Sequence, residues 1–311
     1  MTGIWRNAIA ALCVFAFLFA RPLQAAEGAV SLYAPGFFSA MAGVMPEAGT
    51  YGDFQVWLYD GNLNEAFLEN QVVSKIDSQM AVPMLSVMHV TELSWLGGRY
   101  GFSIMGSYPS VDVGATLTAA NQPLRDKDSA SGLGDLTLTP LILGWHDSNW
   151  HSMFMLNAYL PTGGWDEHDL ATTGLNRPAL EPMYNLTYLS EETGRELSLA
   201  VGYTINFGNE DTDYESGDEF HLDFTLGQWF ANHWMAGVAG YWFQQVTADD
   251  GAPDVLGSNK GRVLGAGPIV SYVTTLSGGN ELLLSARYYH EFGGTNRLEG
   301  DALWLRLSFG I

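Results

Sequence analysis

The chain has 311 residues, of which 47% are hydrophobic, 13% aromatic and only 15% charged, and its formal net charge is −21. Charge that sparse, against ~25% in soluble domains, leaves little to hold a water-facing surface. An acidic balance with no basic patch excludes nucleic acid as a partner, and the single cysteine, Cys13, sits in the leader, which excludes thiol catalysis, disulfides and cysteine-ligated metals from the mature chain.

Taken in chain order, Arg6, the apolar run from Ala8 to Ala20 and then Leu23-Gln24-Ala25 read as a secretory signal peptide over 1–25. The run is short for a retained membrane span. Residues 26–52 fit no strand and are expected to form a lead-in or a plug. Tyr33, Phe37, Phe38 and Met45 give this segment enough apolar surface to lodge in a lumen. Glu27 or Glu47 would then latch it to a cation there.

From 53 to 311 the chain reads as twelve strands with period-two patterning: 53–60, 80–93, 98–118, 133–145, 150–160, 180–190, 196–208, 218–229, 232–247, 262–275, 279–292 and 300–311. No segment carries a capped 3.6-residue period. The links alternate. Those at 61–79, 119–132, 161–179, 209–217 and 248–261 are long, and those between them are short. Long loops at one end and tight turns at the other are the signature of an up-and-down barrel. An even strand count puts both termini at the short-turn end.

The faces decide what surrounds the barrel. In LSLAVGYTINF, Leu197, Leu199, Val201, Tyr203, Ile205 and Phe207 share one side and small uncharged residues the other. Phe220, Leu222, Phe224 and Leu226 likewise oppose His221, Asp223, Thr225 and Gly227. A soluble sandwich would fill its outer positions with Lys and Glu. The apolar face is therefore expected to meet lipid and the mixed face a lumen. The fold expected is all-β, a transmembrane antiparallel up-and-down β-barrel of outer-membrane type with about twelve strands. Two runs resist this reading. MAVPMLSVMHV is apolar on both faces, and in 98–118 the apolar parity flips between Ile104 and Val111. A bulge near Tyr108-Pro109 is the expected cause.

The pieces SGLGDLTLTPLILGWH (131–146), YAPGF (33–37), VMPEAGTY (44–51), YLPTGGWD (159–166), VGYTINFGNEDTDYESGDEFHLDF (201–224), YWFQQVTADDG (241–251) and GAGPIVSY (265–272) come in an order and spacing that resemble one family. This is the outer-membrane family linked with the meta-pathway of phenol degradation, SphA-like transporters included. The resemblance spans about 31–311. It implies an outer-membrane barrel that takes up hydrophobic or aromatic compounds.

Chemistry-bearing residues cluster on the lumen parity. Arg287 and Arg306 lie well inside consecutive strands, and Asp223 and Glu291 share their face. They form either an ion-pair ladder bracing the wall or a charge gate for a solute. Trp57, Tyr59, Met153, Met155, Tyr159, Tyr289 and Trp304 also point inward. They form either a slide for apolar solutes or the packing of a narrow barrel. No H-E-x-x-H or G-x-S-x-G occurs, and DTDYESGDEFHL departs from a calcium loop. No catalytic residue, metal site or cofactor is expected. The function expected is an outer-membrane channel for passive uptake of a small hydrophobic or aromatic compound. The alternatives are a barrel enzyme acting on lipid or ester, and a structural or receptor barrel. Expected partners are outer-membrane lipid, the solute and the outer-membrane assembly machinery.

Overall fold

A computed structural model describes residues 30–68, 72–119, 122–231, 233–251, 260–276 and 279–311. The signal peptide and Glu27 lie outside these residues. Fourteen strands are present and no helix among the described residues. They are β1 (Gly49–Leu68), β2 (Val72–Trp95), β3 (Gly98–Ser107), β4 (Ser110–Ala119), β5 (Gln122–Ser131), β6 (Leu136–Asp147), β7 (Trp150–Leu160), β8 (Ala179–Leu189), β9 (Arg195–Asn206), β10 (Glu219–Phe230), β11 (Trp234–Gln245), β12 (Arg262–Thr275), β13 (Glu281–Thr295) and β14 (Glu299–Gly310).

Twelve of these strands close into an antiparallel barrel. The ring runs β1, β2, β3, β6 and on through β14, and β14 pairs with β1 from Tyr51↔Gly310 to Asn62↔Glu299. The hairpin β4–β5 is not in the ring. It pairs with the first half of β2, Val72↔Ala119 to Ala81↔Ser110, while the second half of β2 pairs with β3. A strand needs about 9–11 residues to cross a bilayer. The 24 residues of β2 reach about 80 Å at ~3.3 Å per residue. Roughly half of β1 and β2, with β4 and β5, therefore stands beyond the bilayer as a four-stranded sheet.

Three expectations need correcting here. The links 61–79 and 119–132 are not loops. The first continues β1 and β2 outward, and the second holds β5. The barrel starts at Gly49 rather than at 53. The third concerns Tyr108-Pro109, where there is no bulge. β3 and β4 keep one register along β2, Ser107 opposite Met84 and Ser110 opposite Ala81. Pro109, which has no N–H, merely interrupts the ladder. The apolar parity flips because the surroundings change. Phe102 and Ile104 face outward and are exposed, at lipid height. Val111 and Val113 are half-buried on the opposite parity, while Ser110 and Asp112 are exposed. Above the bilayer, water is outside and the apolar side turns in. An irregularity of the wall at this level is instead in β6. Its register slips between Leu138 and Leu141 against β7, and at the same height against β3, around Pro140.

The short links are tight. Leu96 (φ 52°) and Gly97 (φ 76°) alone join β2 to β3, the left-handed pair that a two-residue hairpin requires. The face assignment agrees with the structure. On β9, Glu196, Ser198, Ala200, Gly202, Thr204 and Asn206 are buried, and Val238 and Leu226 lie outside at 50% and 53% exposure.

An arginine at Val238, near the middle of β11, should cost roughly 2–4 kcal/mol at bilayer midplane depth. Val238→Arg should therefore fold less stably in lipid vesicles than Ala236→Arg, placed nearer the strand end. Equal stabilities in a urea titration would mean that this band does not face hydrocarbon.

Candidate functional site: a filled lumen

Closing twelve strands leaves a narrow interior, and narrow interiors are filled by side chains. Here residues 30–48 also occupy it. The segment crosses the lumen from the long-loop end to the short-turn end and then enters β1. Arg297, on the β13–β14 hairpin, donates to Ser31 Oγ at 3.1 Å. Midway, the Asp223 carboxylate accepts the N–H of Gly36 (3.2 Å) and of Phe38 (3.1 Å) and the hydroxyl of Tyr33. From three strands away round the wall, Arg287 donates to the carbonyls of Gly36 (2.9 Å) and Phe37 (2.8 Å) and to Gln55 Oε1 (2.8 Å). Lower down, Glu196 accepts the N–H of Met41 (2.7 Å) and Thr187 that of Gly43 (2.9 Å). At the rim, Arg99 donates to the Pro46 carbonyl (3.0 Å) and pairs with Glu47 (2.7 Å).

The segment is thus gripped mainly by its backbone. A carboxylate reads N–H groups and a guanidinium reads carbonyls across one turn. Gly36 makes this possible. Its φ is +81°, and a Cβ there would lie 2.7 Å from the Tyr289 ring, so both conformation and space call for glycine.

Several of the residues picked out by parity meet around this turn. Arg287 lies 4.8 Å over the Trp304 ring, within cation–π range. Trp304 stacks on Trp57 (5.7 Å) and takes the edge of Phe37 (5.8 Å). Tyr289 lies under Gly36. Tyr59 belongs to a neighbouring cluster. Its hydroxyl and that of Tyr241 donate to Glu291, each at 2.7 Å, and Gly300 N–H adds a third bond. Met153 and Met155 pack in a second apolar cluster with Tyr33 and Met45. Tyr159 donates to Glu181 at 2.8 Å. Arg306 stands apart from the segment and bonds Asp53 on β1 at 2.6 Å. The expected Glu47–Arg287 or Glu47–Arg306 latch is therefore absent. Glu47 is at the rim and Arg99 is nearer.

Sequence reading missed the second polar knot. Glu181, fully buried, accepts from Asn157, Tyr159 and Thr204 and meets His221 Nε2 at 2.8 Å. The His221 ring stacks on Tyr33 at 3.5 Å. The signal was present: Glu181 is a carboxylate near the start of β8 on the inward parity, as Asp223 is on β10. Between these knots, segment and wall leave a cavity of about 80 Å³. Phe37, Phe38, Met84, Met105 and Met155 give it apolar sides, and Asn157 a polar one. The inner face of MAVPMLSVMHV explains itself here: Met80, Val82, Met84 and Met88 pack against lumen clusters that include the segment.

The loop over the long-loop end, 161–178, is tied down by two aspartates. Asp135, in the SGLGDL piece, accepts the N–H of Gly163 and Leu175, each at 2.8 Å. Asp128 on β5 accepts those of Leu170 and Ala171, each at 3.0 Å. Among the described residues no group of three His, Cys, Asp or Glu is arranged for a metal.

A closed barrel with an apolar exterior band, long loops at one end and tight turns at the other is a transmembrane β-barrel of the bacterial outer membrane. Residues 68–307 match the family model described as "Putative MetA-pathway of phenol degradation", and the chain belongs to that family. The fold is similar to that of the COG4313 outer membrane channel from Pseudomonas putida F1. The TM-score is 0.62 and the identity 15%, over 89% of this chain and 98% of that one. A FadL homologue from Pseudomonas aeruginosa is a more distant likeness, with TM-score 0.39 and identity 7% over 84% and 89% of the two chains. No curated protein sequence matches the chain.

The bonds that Asp128 accepts, first from Ala171 and then from Ser129 and Leu170, hold its carboxyl below the usual carboxylate range. A depressed folded value means the loop's attachment is fully present above the unfolded value of about 3.9. It is lost as pH falls through the lower folded value. A spin label on Glu167→Cys should gain mobility on acidification below about pH 4. In an Asp128→Asn background the loop should be mobile at neutral pH and this part of the step should vanish. An identical pH profile in both backgrounds would show that Asp128 does not hold the loop.

Proposed function

We propose that the protein is an outer-membrane channel through which a small hydrophobic or aromatic solute passes without covalent change. The observation that carries this reading is the cavity beside the gripped turn. It is apolar on the Phe37, Met84 and Met155 side and carries the hydroxyls of Ser86, Ser103, Thr137 and Thr139 elsewhere in its lining, as a small ring bearing one polar group requires. Its size leaves no open path, so passage needs the segment 30–48 to shift. The segment is then a plug, and the Asp223–Arg287 grip sets how easily it moves. The family description points to aromatic solutes, and the Trp57–Trp304–Phe37 stack continues the apolar side. Outer-membrane lipid surrounds the exposed band, and the outer-membrane assembly machinery inserts the strands. The short-turn end faces the periplasm, as in other barrels of this type.

An enzyme reading finds less support. The buried imidazole, His221, is committed to Glu181 and Tyr33. A hydroxyl–imidazole pair, Thr50 with His89 at 3.0 Å, is on the exposed outer surface rather than in the lumen.

Losing the Arg287 bonds, charge-assisted and worth about 1.5–3 kcal/mol each, should raise the open fraction by about tenfold or more. Arg287→Gln in planar bilayers should therefore show higher conductance and, in liposomes, faster entry of a neutral phenol. The barrel's heat-modifiable migration should stay unchanged. Unaltered conductance and flux in a folded Arg287→Gln barrel would refute the plug. Ester hydrolysis by the purified protein that disappears in His221→Gln would refute the purely passive reading. For orientation, an impermeant thiol reagent on whole cells should label Glu167→Cys and spare Glu192→Cys; the reverse pattern would invert the barrel.

A further inference from the structure

Two imidazoles meet at the short-turn mouth of the lumen, outside every contact described so far. His146 lies at the end of β6 and His151 at the start of β7, directly opposed across the hairpin. Both follow the inward parity of their strands. Their Nδ1 atoms are 2.7 Å apart, with the rings inclined at 65°. His146 is exposed and His151 half-buried, so water reaches the pair. Between them the chain turns through Asp147, Ser148 (φ 54°) and Asn149 before Trp150 pairs with Asp147. So tight a hairpin holds the rings together.

At this separation two neutral rings make one N–H···N bond, with one Nδ1 donating and the other accepting. That shared proton occupies the place of a cation. Two nitrogens each about 2.05 Å from one metal ion lie about 2.9 Å apart when they are adjacent ligands in a square plane. The pair needs to open by a few tenths of an ångström, and the exposed rings to turn until both Nδ1 lone pairs meet beside the N–N line. Tetragonal nitrogen and oxygen coordination is the preference of copper(II), which also stands highest in the divalent affinity order. We propose that His146 and His151 form a binding site for a borderline transition-metal ion, copper(II) above all, at the periplasmic mouth of the barrel.

The site has two protein nitrogens, and water completes the coordination. It is an open, exchangeable site rather than a closed structural one. Binding displaces the shared proton, so the ion competes with protons. The neighbouring rung on the same inner face is Gly144 opposite Met153, and the Met45 thioether lies over Gly144. A soft donor of the lumen segment is therefore beside the pair. The Gly43 backbone also passes against that of His151. An ion held here would sit under residues 43–45 of the plug.

The test is titration of the tag-free protein in detergent with copper(II), followed by calorimetry and by electron paramagnetic resonance. The expected result is one ion per chain with a two-nitrogen signature. His146→Gln and His151→Gln should each weaken binding beyond the about 10–100-fold that loss of an outer-shell partner costs, and should leave a one-nitrogen spectrum. His168→Gln, in the exposed loop, should bind as the parent does. Each variant is checked for the heat-modifiable migration of a folded barrel. Absence of binding to the parent protein at equimolar copper, or unchanged affinity in the folded double variant His146→Gln/His151→Gln, would overturn the proposal.

Discussion

The antiparallel ladder between the first and last strands, Tyr51↔Gly310 to Asn62↔Glu299, removes the two free edges that an open sheet would present to hydrocarbon. Each unpaired N–H or C=O there would cost several kcal/mol, so closure is compulsory. Closing after twelve strands also fixes a small radius. The inward side chains cannot be fully hydrated and cannot leave a void. They therefore fill the space with one another and with residues 30–48. The buried charges of the lumen follow from the same constraint. Asp223, Arg287, Glu181 and Glu291 are each nearly inaccessible, and each hydrogen-bonds to groups of the protein.

The barrel was legible because lipid and lumen impose opposite chemistry on alternate residues, and every strand from β7 to β14 repeats that alternation. What misled the reading of β1 to β5 was the same signal used outside its range. Polar residues at 61–79 and 119–132 look like loops to an argument that expects strands to end at the bilayer. They are strands in water, paired and polar outside. The flip of parity after Ile104 marks the water boundary more faithfully than any loop does. Pro140 hid the β6 bulge, because its neighbours Thr139 and Leu141 continue an unremarkable alternation in one dimension.

The lumen residues were legible as a face but not as a network. Parity placed Arg287, Asp223, Trp57 and Trp304 inward. It carries no information about which of them meets which, since strand-to-strand neighbours come from closure and register. Residue types suggest a latch between charged side chains, but Glu47 meets Arg99 and not Arg287 or Arg306. Asp223 and Arg287 grip backbone groups, and a backbone leaves no trace in residue type except at Gly36, where only glycine fits. The Glu181–His221 contact is illegible for the same reason: parity places both residues inward and does not say that they meet.

A grip on the backbone has a consequence for movement. Asp223 on β10 and Arg287 on β13 approach one turn of the segment from two sides, so each ion rests against partial charges of the segment and neither is bare. A segment that slides away withdraws those N–H and C=O groups together, and water enters the same volume. Carboxylate and guanidinium then exchange peptide partners for water partners without crossing a stage in which either stands unsolvated. Had the latch been an ion pair between segment and wall, opening would have separated opposite charges across a low-dielectric gap, at a much larger cost. At this turn the wall keeps both charges and the segment lends only dipoles, while the Glu47–Arg99 ion pair lies out at the rim.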